Sequence, residues 1–452
     1  MRAKYRKILV QETGKTLGRS RGRAYTLLGS ILLGEVVGVA RELRTQCCIV
    51  GCGPAGAMLG LLLARQGVDV VVLEKHGDFL RDFRGDDMSP STMEILDELG
   101  LASGFLDLGP KRMPLVEAHM PDATLKLADL SGLRTRFPYV AVLPQWDFLD
   151  FIAREASRHQ GFHLLMNAEA TGLVEEDGQI RGVRYRAGGD DGKVLATLTV
   201  AADGRSSVIR DQAGLQLVTT APTIDLLWFR LPRPAGDPDE SAISIYMAHG
   251  RALGRMNRGD YWQIACVIPK DSDPAIRAAG LDAFRESIRR VVPDLAHNVD
   301  VLQSWDQVSL LSVQTNRLRR WHRPGLLCIG DAAHAMSPIG GAGINYAIQD
   351  AVVAANRLAE PIRRGRVTVR DLAGVQRERA WQVRAMQALQ SRITKGVLRA
   401  LEYEPAGQPG ILRRLVFAAV NQRGFCALRS RIIGLGFRRV HVAARPPVPV
   451  PE

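Results

Sequence analysis

The chain has 452 residues, 46% hydrophobic and 24% charged, which are the values of a globular protein with a large buried core and exclude a mostly disordered chain. The net charge of +13 sits at the ends: residues 1–44 and 395–452 each carry ten Lys/Arg against three acids, which leaves the middle at −1 and argues against a nucleic-acid partner for the body of the protein. Six cysteines without a paired spacing give neither a disulfide framework nor a zinc site, so buried thiols in a reducing, cytoplasmic setting are expected.

In chain order, residues 1–45 read as a basic extension, expected to be disordered. Their most apolar stretch, Tyr25–Ala40, is interrupted by Glu35 and shows no clear cleavage site, so export is not expected. No apolar run reaches the roughly 18–20 residues of a membrane span. From Gln46 the pattern becomes strand (QCCIV), glycine turn (GCGPAG), helix (AMLGLLLARQG) and second strand (VDVVVLE), a complete βαβ unit. Ser89–Leu101 reads as a helix opened by Ser/Pro and closed by Gly100. Leu115–Leu143 and Ile224–Ser312 alternate apolar and polar residues as the strands of an antiparallel or mixed sheet would. Asn345–Ile362 returns to helical spacing, and the arginine-rich remainder reads as helical up to a proline-rich tail.

Three motifs carry chemistry. In Gly51-Cys52-Gly53-Pro54-Ala55-Gly56, Gly51 permits the tight turn, Gly53 lets a pyrophosphate approach the backbone, and Gly56 lets the helix pack on the strand, while the exposed amides at the helix start bind phosphate. Glu74 closes the second strand, where a carboxylate can accept from both ribose hydroxyls, so a dinucleotide with a free 2′-hydroxyl is indicated, FAD or NAD. The second motif is Ala202-Asp203-Gly204-Arg205-Ser206-Ser207, followed by Arg210. The third is Gly330-Asp331-Ala332-Ala333-His334, continuing through Pro338 to Gly340-Gly341-Ala342-Gly343-Ile344-Asn345 and into a helix. An aspartate at a strand end can accept from ribityl hydroxyls, and a glycine turn entering a helix points amides at an electron-rich ring edge.

These three motifs, in this order, resemble those of the single-component FAD-dependent aromatic hydroxylases, the para-hydroxybenzoate hydroxylase-like flavoprotein monooxygenases. The resemblance covers roughly residues 46–365. It implies an α/β fold: a Rossmann-like FAD-binding domain (46–114, 144–217 and 322–364) with an inserted strand-rich substrate domain (115–143 and 218–321). Beyond it, composition gives a helical C-terminal region (365–445) and a disordered tail (446–452). The resemblance further implies that FAD is held noncovalently by Gly51, Gly53, Pro54, Ala55, Gly56, Glu74 and Lys75. Arg84, or its neighbour Arg81, would lie at the pyrophosphate and Gln145 beside the flavin. Asp203, with Gly204, would help to bind FAD and support the approach of the nicotinamide donor, to which Arg210 would be linked, with a surface arginine on a helix as the alternative for Arg210. Gly330 and Asp331 would hold the ribityl chain, and Gly341, Ala342, Gly343, Ile344 and Asn345 would face the pyrimidine edge. Pro338 would lie at the flavin face where oxygen adds, with no side-chain acid or base assigned. NADPH or NADH would visit transiently, and O2 would react as a C4a-hydroperoxide that hydroxylates an aromatic or other apolar ring. Trp146 stands after Gln145 where many relatives have arginine, and His334 reads as a packed residue rather than a base. Trp228, Phe229, Tyr246 and Trp262 are candidates for the substrate cavity, with core packing as the alternative for each.

Three other functions share the front end. A flavin halogenase should carry WxWxIP and a nearby lysine, and YWQIACVIPK is a poor match. A polyprenyl reductase and a non-catalytic flavin-fold protein binding a partner or membrane are the others. Phe425, Leu428, Ile432 and Leu435 recur at helical spacing among Arg429, Arg431, Arg438 and Arg439, and Ile411, Leu412, Leu415 and Val416 could form a similar helix before them. Such helices would either dock on the FAD domain or touch an anionic membrane.

Overall fold

The structure is a computed structural model that describes residues 41–80, 86–220, 223–234, 241–402 and 422–443. The strand Arg41–Val50 begins five residues before the expected start at Gln46, because Arg41–Thr45 pair in parallel register with Gly192–Ala196. Arg81, Arg84, Ile411–Val416 and the proline tail lie outside the described residues.

The fold is α/β, with a Rossmann-like half, a strand-rich half and a helical C-terminal region. The main sheet runs, edge to edge, His322–Arg323, Leu326–Cys328, Asp190–Ala201, Arg41–Val50, Val70–Glu74, Phe162–Met166, and its last five strands are parallel. Val70–Glu74 is buried along its whole length, as a central parallel strand must be. The helix Pro54–Arg65 starts on a proline, whose missing amide costs nothing at that position, and is apolar on every side because the sheet and two helices cover it. Ala168–Glu176, Gln179–Ala187 and Asp190–Ala201 form an antiparallel extension of this sheet. Its turns, Asp177-Gly178 and Gly188-Gly189, have positive φ at both central residues, the geometry that matches strand twist in two-residue hairpins.

The second sheet has seven strands in the order Ser309–Leu311, Ile224–Pro232, Tyr261–Pro269, Arg251–Asn257, Ala242–Ala248, Leu115–Met120, Ala123–Asp129. Residues 273–291 depart from the strand-like reading: Asp273–Ala278 and Leu281–Val291 are helices. Phe284, Ile288 and Val291 recur at i, i+4 and i+7 and bury against Leu227, Phe229, Trp262 and Ile264, so this face of the sheet is core. Phe229 meets Phe284 edge-on at 5.6 Å between ring centroids. The opposite face of the same strands is left for the site.

The helix Val369–Glu402 packs on the helix Ala342–Arg363. The helix Arg423–Leu435 docks on the edge strand Ala123–Asp129 of the second sheet rather than on the FAD-binding half alone. Ser430 Oγ accepts from the Asp129 amide at 2.9 Å, and Arg429 donates to the carbonyls of Leu127 and Lys126, each at 2.9 Å. Side-chain donors thus satisfy carbonyls of a strand that would otherwise be an open edge. Ile432 packs on the main core and Leu435 is buried, while Phe425 and Leu428 are more than half exposed.

Candidate active site

The first glycine turn separates its three glycines by function. Gly51 has φ +95°, and a Cβ there would sit 2.6 Å from the Ala202 carbonyl oxygen, so only glycine lets the first strand approach the second motif. A Cβ on Gly56 would lie 1.9 Å from the Gly51 oxygen, so this glycine serves helix packing. Gly53 is different: among the described residues, its chain neighbours aside, no atom lies within 4 Å of a Cβ built there, and its φ of −73° is open to any residue. Nothing among the described residues demands glycine at 53, and the free space opens into a cleft where a pyrophosphate would need close backbone approach. Gly343, in the first turn of Ala342–Arg363, has the same unfilled space at the other end of the cleft. Both observations fit a bound FAD.

Glu74 is almost fully buried, with Oε2 accepting from the Cys52 amide at 3.0 Å and Oε1 from the His76 amide at 3.1 Å. These bonds fix the carboxylate at the cleft. Lys75 lines the cleft beside it.

The Gly330–Ala332 turn carries Asp331 into the cleft and is braced from behind. Asp350 Oδ2 accepts from the Gly330 amide at 3.0 Å and meets His334 Nε2 at 2.6 Å, and its Oδ1 accepts from Arg379 Nε at 2.7 Å. Trp321 packs against the His334 ring at 5.0 Å. His334 is thus a packed brace, as its motif position suggested. Further along, Gln390 Nε2 donates to the carbonyls of Ser337 and Ile339, on both sides of Pro338, at 2.9 and 2.8 Å. Gln387 Nε2 does the same for Asn316 and Ala335 at 2.8 and 3.0 Å. The long C-terminal helix therefore shapes the loop that presents Pro338.

Asn345 does not face the cleft. Its Oδ1 accepts from the Ser89 amide at 2.9 Å and Thr92 Oγ1 at 2.6 Å, and its Nδ2 donates to the carbonyls of Asp87 and Gly341 at 2.9 and 2.8 Å. The amide staples segment 87–92 to the glycine turn. Arg210 is likewise turned inward: its side chain is 3% exposed, bonded to Asp211 and to the Arg205 carbonyl. Arg205, not Arg210, lines the cleft. Asp203 lines it too, with Oδ1 accepting from Ser207 Oγ at 2.5 Å, and burial raises its carboxyl against the opposing hydrogen bonds of Ser207 and Ile209.

Gly51, Gly53, Pro54, Ala55, Glu74, Lys75, Gln145, Asp203, Gly204, Asp331, Pro338, Gly341, Gly343 and Ile344 line one cleft of about 380 Å³, within the usual range for small-molecule sites. Gly56, Gly330, Ala342, Asn345 and Arg210 stand behind its wall. Of the four aromatic candidates only Trp228 lines the cleft. Phe229 and Trp262 belong to the outer core, and Tyr246 stacks on His119 at 4.8 Å. Met256, Gln263, Leu311 and Val313 join Trp228 on that wall.

Sequence reasoning passed over Asp86 and Asp87, although adjacent acids in FRGDD are a visible signal. Asp86 Oδ1 accepts from the Gln145 amide at 3.1 Å and its Oδ2 pairs with Arg258 at 2.7 Å, tying the start of the helix Gln145–Ala156 to the residue after the strand Arg251–Asn257. Burial raises the Asp86 carboxyl despite Arg258. Asp87 is pushed up to about 6, by burial first and by the Asp86 charge second. A Cβ on Gly341 would lie 2.8 Å from Asp87 Oδ2, so this glycine makes room for the acid.

The family described as "FAD binding domain" matches residues 44–388, the span that holds every motif above. The chain belongs to this family. It is an FAD-dependent monooxygenase, a flavoprotein hydroxylase. It is 36% identical to the 6-methylpretetramide 4-monooxygenase of Streptomyces rimosus over 354 residues, 76% of this chain and 84% of that protein. It is 28% identical to the kynurenine 3-monooxygenase of Salinispora arenicola, over 69% of this chain and 71% of that one. In fold the monooxygenase is similar to p-nitrophenol 4-monooxygenase from Pseudomonas putida, with a TM-score of 0.70 at 19% identity over 90% of this chain and all of the other.

Proposed function

We propose that this FAD-dependent monooxygenase takes reducing equivalents from transiently bound NADPH or NADH, consumes O2 and hydroxylates an aromatic or other apolar ring compound. The observation that carries the reading is the shared cleft: the phosphate turn, Asp331 and the Gly341–Ile344 turn line it from one half of the fold, and Trp228, Met256, Leu311 and Val313 line it from the other. The named activity of the 36% identical relative, on 6-methylpretetramide, supports a ring substrate.

FAD supplies the redox and oxygen chemistry when bound. The Gly51–Gly56 turn and the helix behind it bind the pyrophosphate, Glu74 the ribose and Asp331 the ribityl hydroxyls. The amides of Gly343 and Ile344, at the positive end of a 22-residue helix, stabilise negative charge at the pyrimidine edge. The loop carrying Pro338, braced by Gln387 and Gln390, shields the flavin face from water together with Trp228 and Met256. Arg205 at the rim offers a cation to the phosphates of the visiting donor. Contact of the basic ends with an anionic membrane is part of the same reading, supported by Phe425 and Leu428, which are 58% and 55% exposed. Its check is salt-sensitive cosedimentation with anionic vesicles.

The visible spectrum of the purified protein, followed by oxygen uptake with NADPH and NADH across an aromatic panel, tests the central reading. A yellow protein whose oxygen uptake is stimulated by a ring compound, with a hydroxylated product, is expected. A flavoprotein whose oxygen uptake no ring compound stimulates would overturn it.

A further inference from the structure

We infer that the side-chain amide of Gln263 determines substrate specificity by hydrogen-bonding a hydroxyl group on the ring of a neutral, phenolic substrate. The inference rests on the ring-hydroxylating reading above. Gln263 lies in Tyr261–Pro269, a central strand of the second sheet. Its neighbours Trp262 and Ile264 join Cys266 and Ile268 in the core beneath the helix Leu281–Val291, so strand alternation turns Gln263 and Ala265 to the cleft. Met256 stands directly opposite Gln263 on one neighbouring strand and Arg230 on the other.

Gln263 is 2% exposed, and its Oε1 is sealed from solvent without a hydrogen-bond partner among the described residues. Asn345 spends its amide on four bonds within the protein, whereas no such set engages Gln263. Arg230 does not serve it either, its guanidinium lying over the Tyr261 ring at 4.8 Å. A buried amide in an apolar wall is unfavourable unless something bonds to it, and one that lines a cleft can find its partner in the ligand. Beside it Gly254 is paired with Ala265, and a Cβ on Gly254 would make only an ordinary 3.6 Å contact, so packing does not require the glycine.

The chemistry of the amide selects the partner. A phenolic hydroxyl both donates and accepts, so it satisfies either end of the amide. A carboxylate only accepts, so it can take the amide N–H but leaves Oε1 without a donor.

The test uses the FAD-loaded protein without NAD(P)H, with 1-naphthol, 1-methoxynaphthalene and 1-naphthoate as probes and the flavin absorbance change as readout. The wild type should bind 1-naphthol about tenfold more tightly than the other two. Gln263→Leu should bring the three within about twofold by weakening the naphthol alone. Gln263→Met is the second variant, with FAD content measured for both. A wild type without the naphthol preference, a Leu or Met variant that keeps it, or loss of FAD from both variants would overturn the role of Gln263. If no ring compound perturbs the wild-type flavin, the ring-hydroxylating reading falls, and this inference with it.

Discussion

His334 Nε2 lies 2.6 Å from Asp350 Oδ2, with both side chains sealed from water directly behind the turn that presents Asp331. Arg379, also fully buried, pairs with the other oxygen of the same carboxylate. Removing one partner strands a buried charge, so Arg379→Ala should cost about 3–5 kcal/mol in denaturant unfolding. Burial alone would raise the Asp350 carboxyl, but the charges and hydrogen bonds of His334 and Arg379 hold it below its ordinary range. That stabilisation is fully present above the unfolded value, roughly 3.9, and is lost as pH falls through the lower folded value. Melting temperatures between pH 5 and 3 should therefore fall more steeply for the wild type than for Asp350→Asn.

Gly53 and Gly56 should fail in opposite ways. Gly53→Val fills space that no other described residue beyond its chain neighbours occupies, so the apoprotein should keep its stability and come off the column colourless. Gly56→Ala drives a methyl into the Gly51 carbonyl and should cost at least about 2 kcal/mol in stability. Flavin absorbance per mole of protein and a melting curve separate the two, and a yellow Gly53→Val protein would show that the phosphate site lies elsewhere.

Arg205 lines the cleft while Arg210 is turned inward, the reverse of what motif position suggests. Arg210→Ala removes a buried guanidinium bonded to Asp211 and to the Arg205 carbonyl, and should lower stability by about 1–3 kcal/mol. Arg205→Ala should leave the fold intact and weaken the donor dependence of flavin reduction in stopped flow, roughly tenfold for a lost charge-assisted contact. Unchanged reduction kinetics in the Arg205 variant would remove it from the donor site.

Asp87 gives a second pH signature of opposite sign. Its folded value near 6 exceeds the unfolded one, so its stabilising contribution is complete below about pH 4 and lost as pH rises through 6. Apoprotein carrying Asp87→Asn should gain stability over the wild type between pH 5 and 7, and the gap should close at lower pH. A pH-independent difference would mean that the carboxyl titrates normally.

The local parts of this site were legible from sequence because their cause is local. A strand, a glycine turn and a helix that each need particular backbone angles leave their pattern in adjacent residues, and the structure places Gly51, Gly53, Glu74, Asp331 and Gly343 in one cleft. The direction of a single side chain has no such signal. Asn345 and Arg210 sit in motifs yet turn inward, because their partners, Ser89, Thr92 and the Arg205 carbonyl, are set by tertiary packing. The brace on Asp331 was invisible for the same reason: Asp350 and Arg379 lie on two different helices. Helix Leu281–Val291 was overlooked between strand-like segments although Phe284, Ile288 and Val291 carry the helical spacing.

Gln390 grips the chain on both sides of Pro338, far downstream of the glycine turn at residues 51–56. During synthesis the glycine turn at 51–56 leaves the ribosome early, but the loop that carries Pro338 has its brace only once the helix Val369–Glu402 has emerged. A chain interrupted before about residue 390 therefore has the first glycine turn of the cleft without the Gln390 brace on its Pro338 loop.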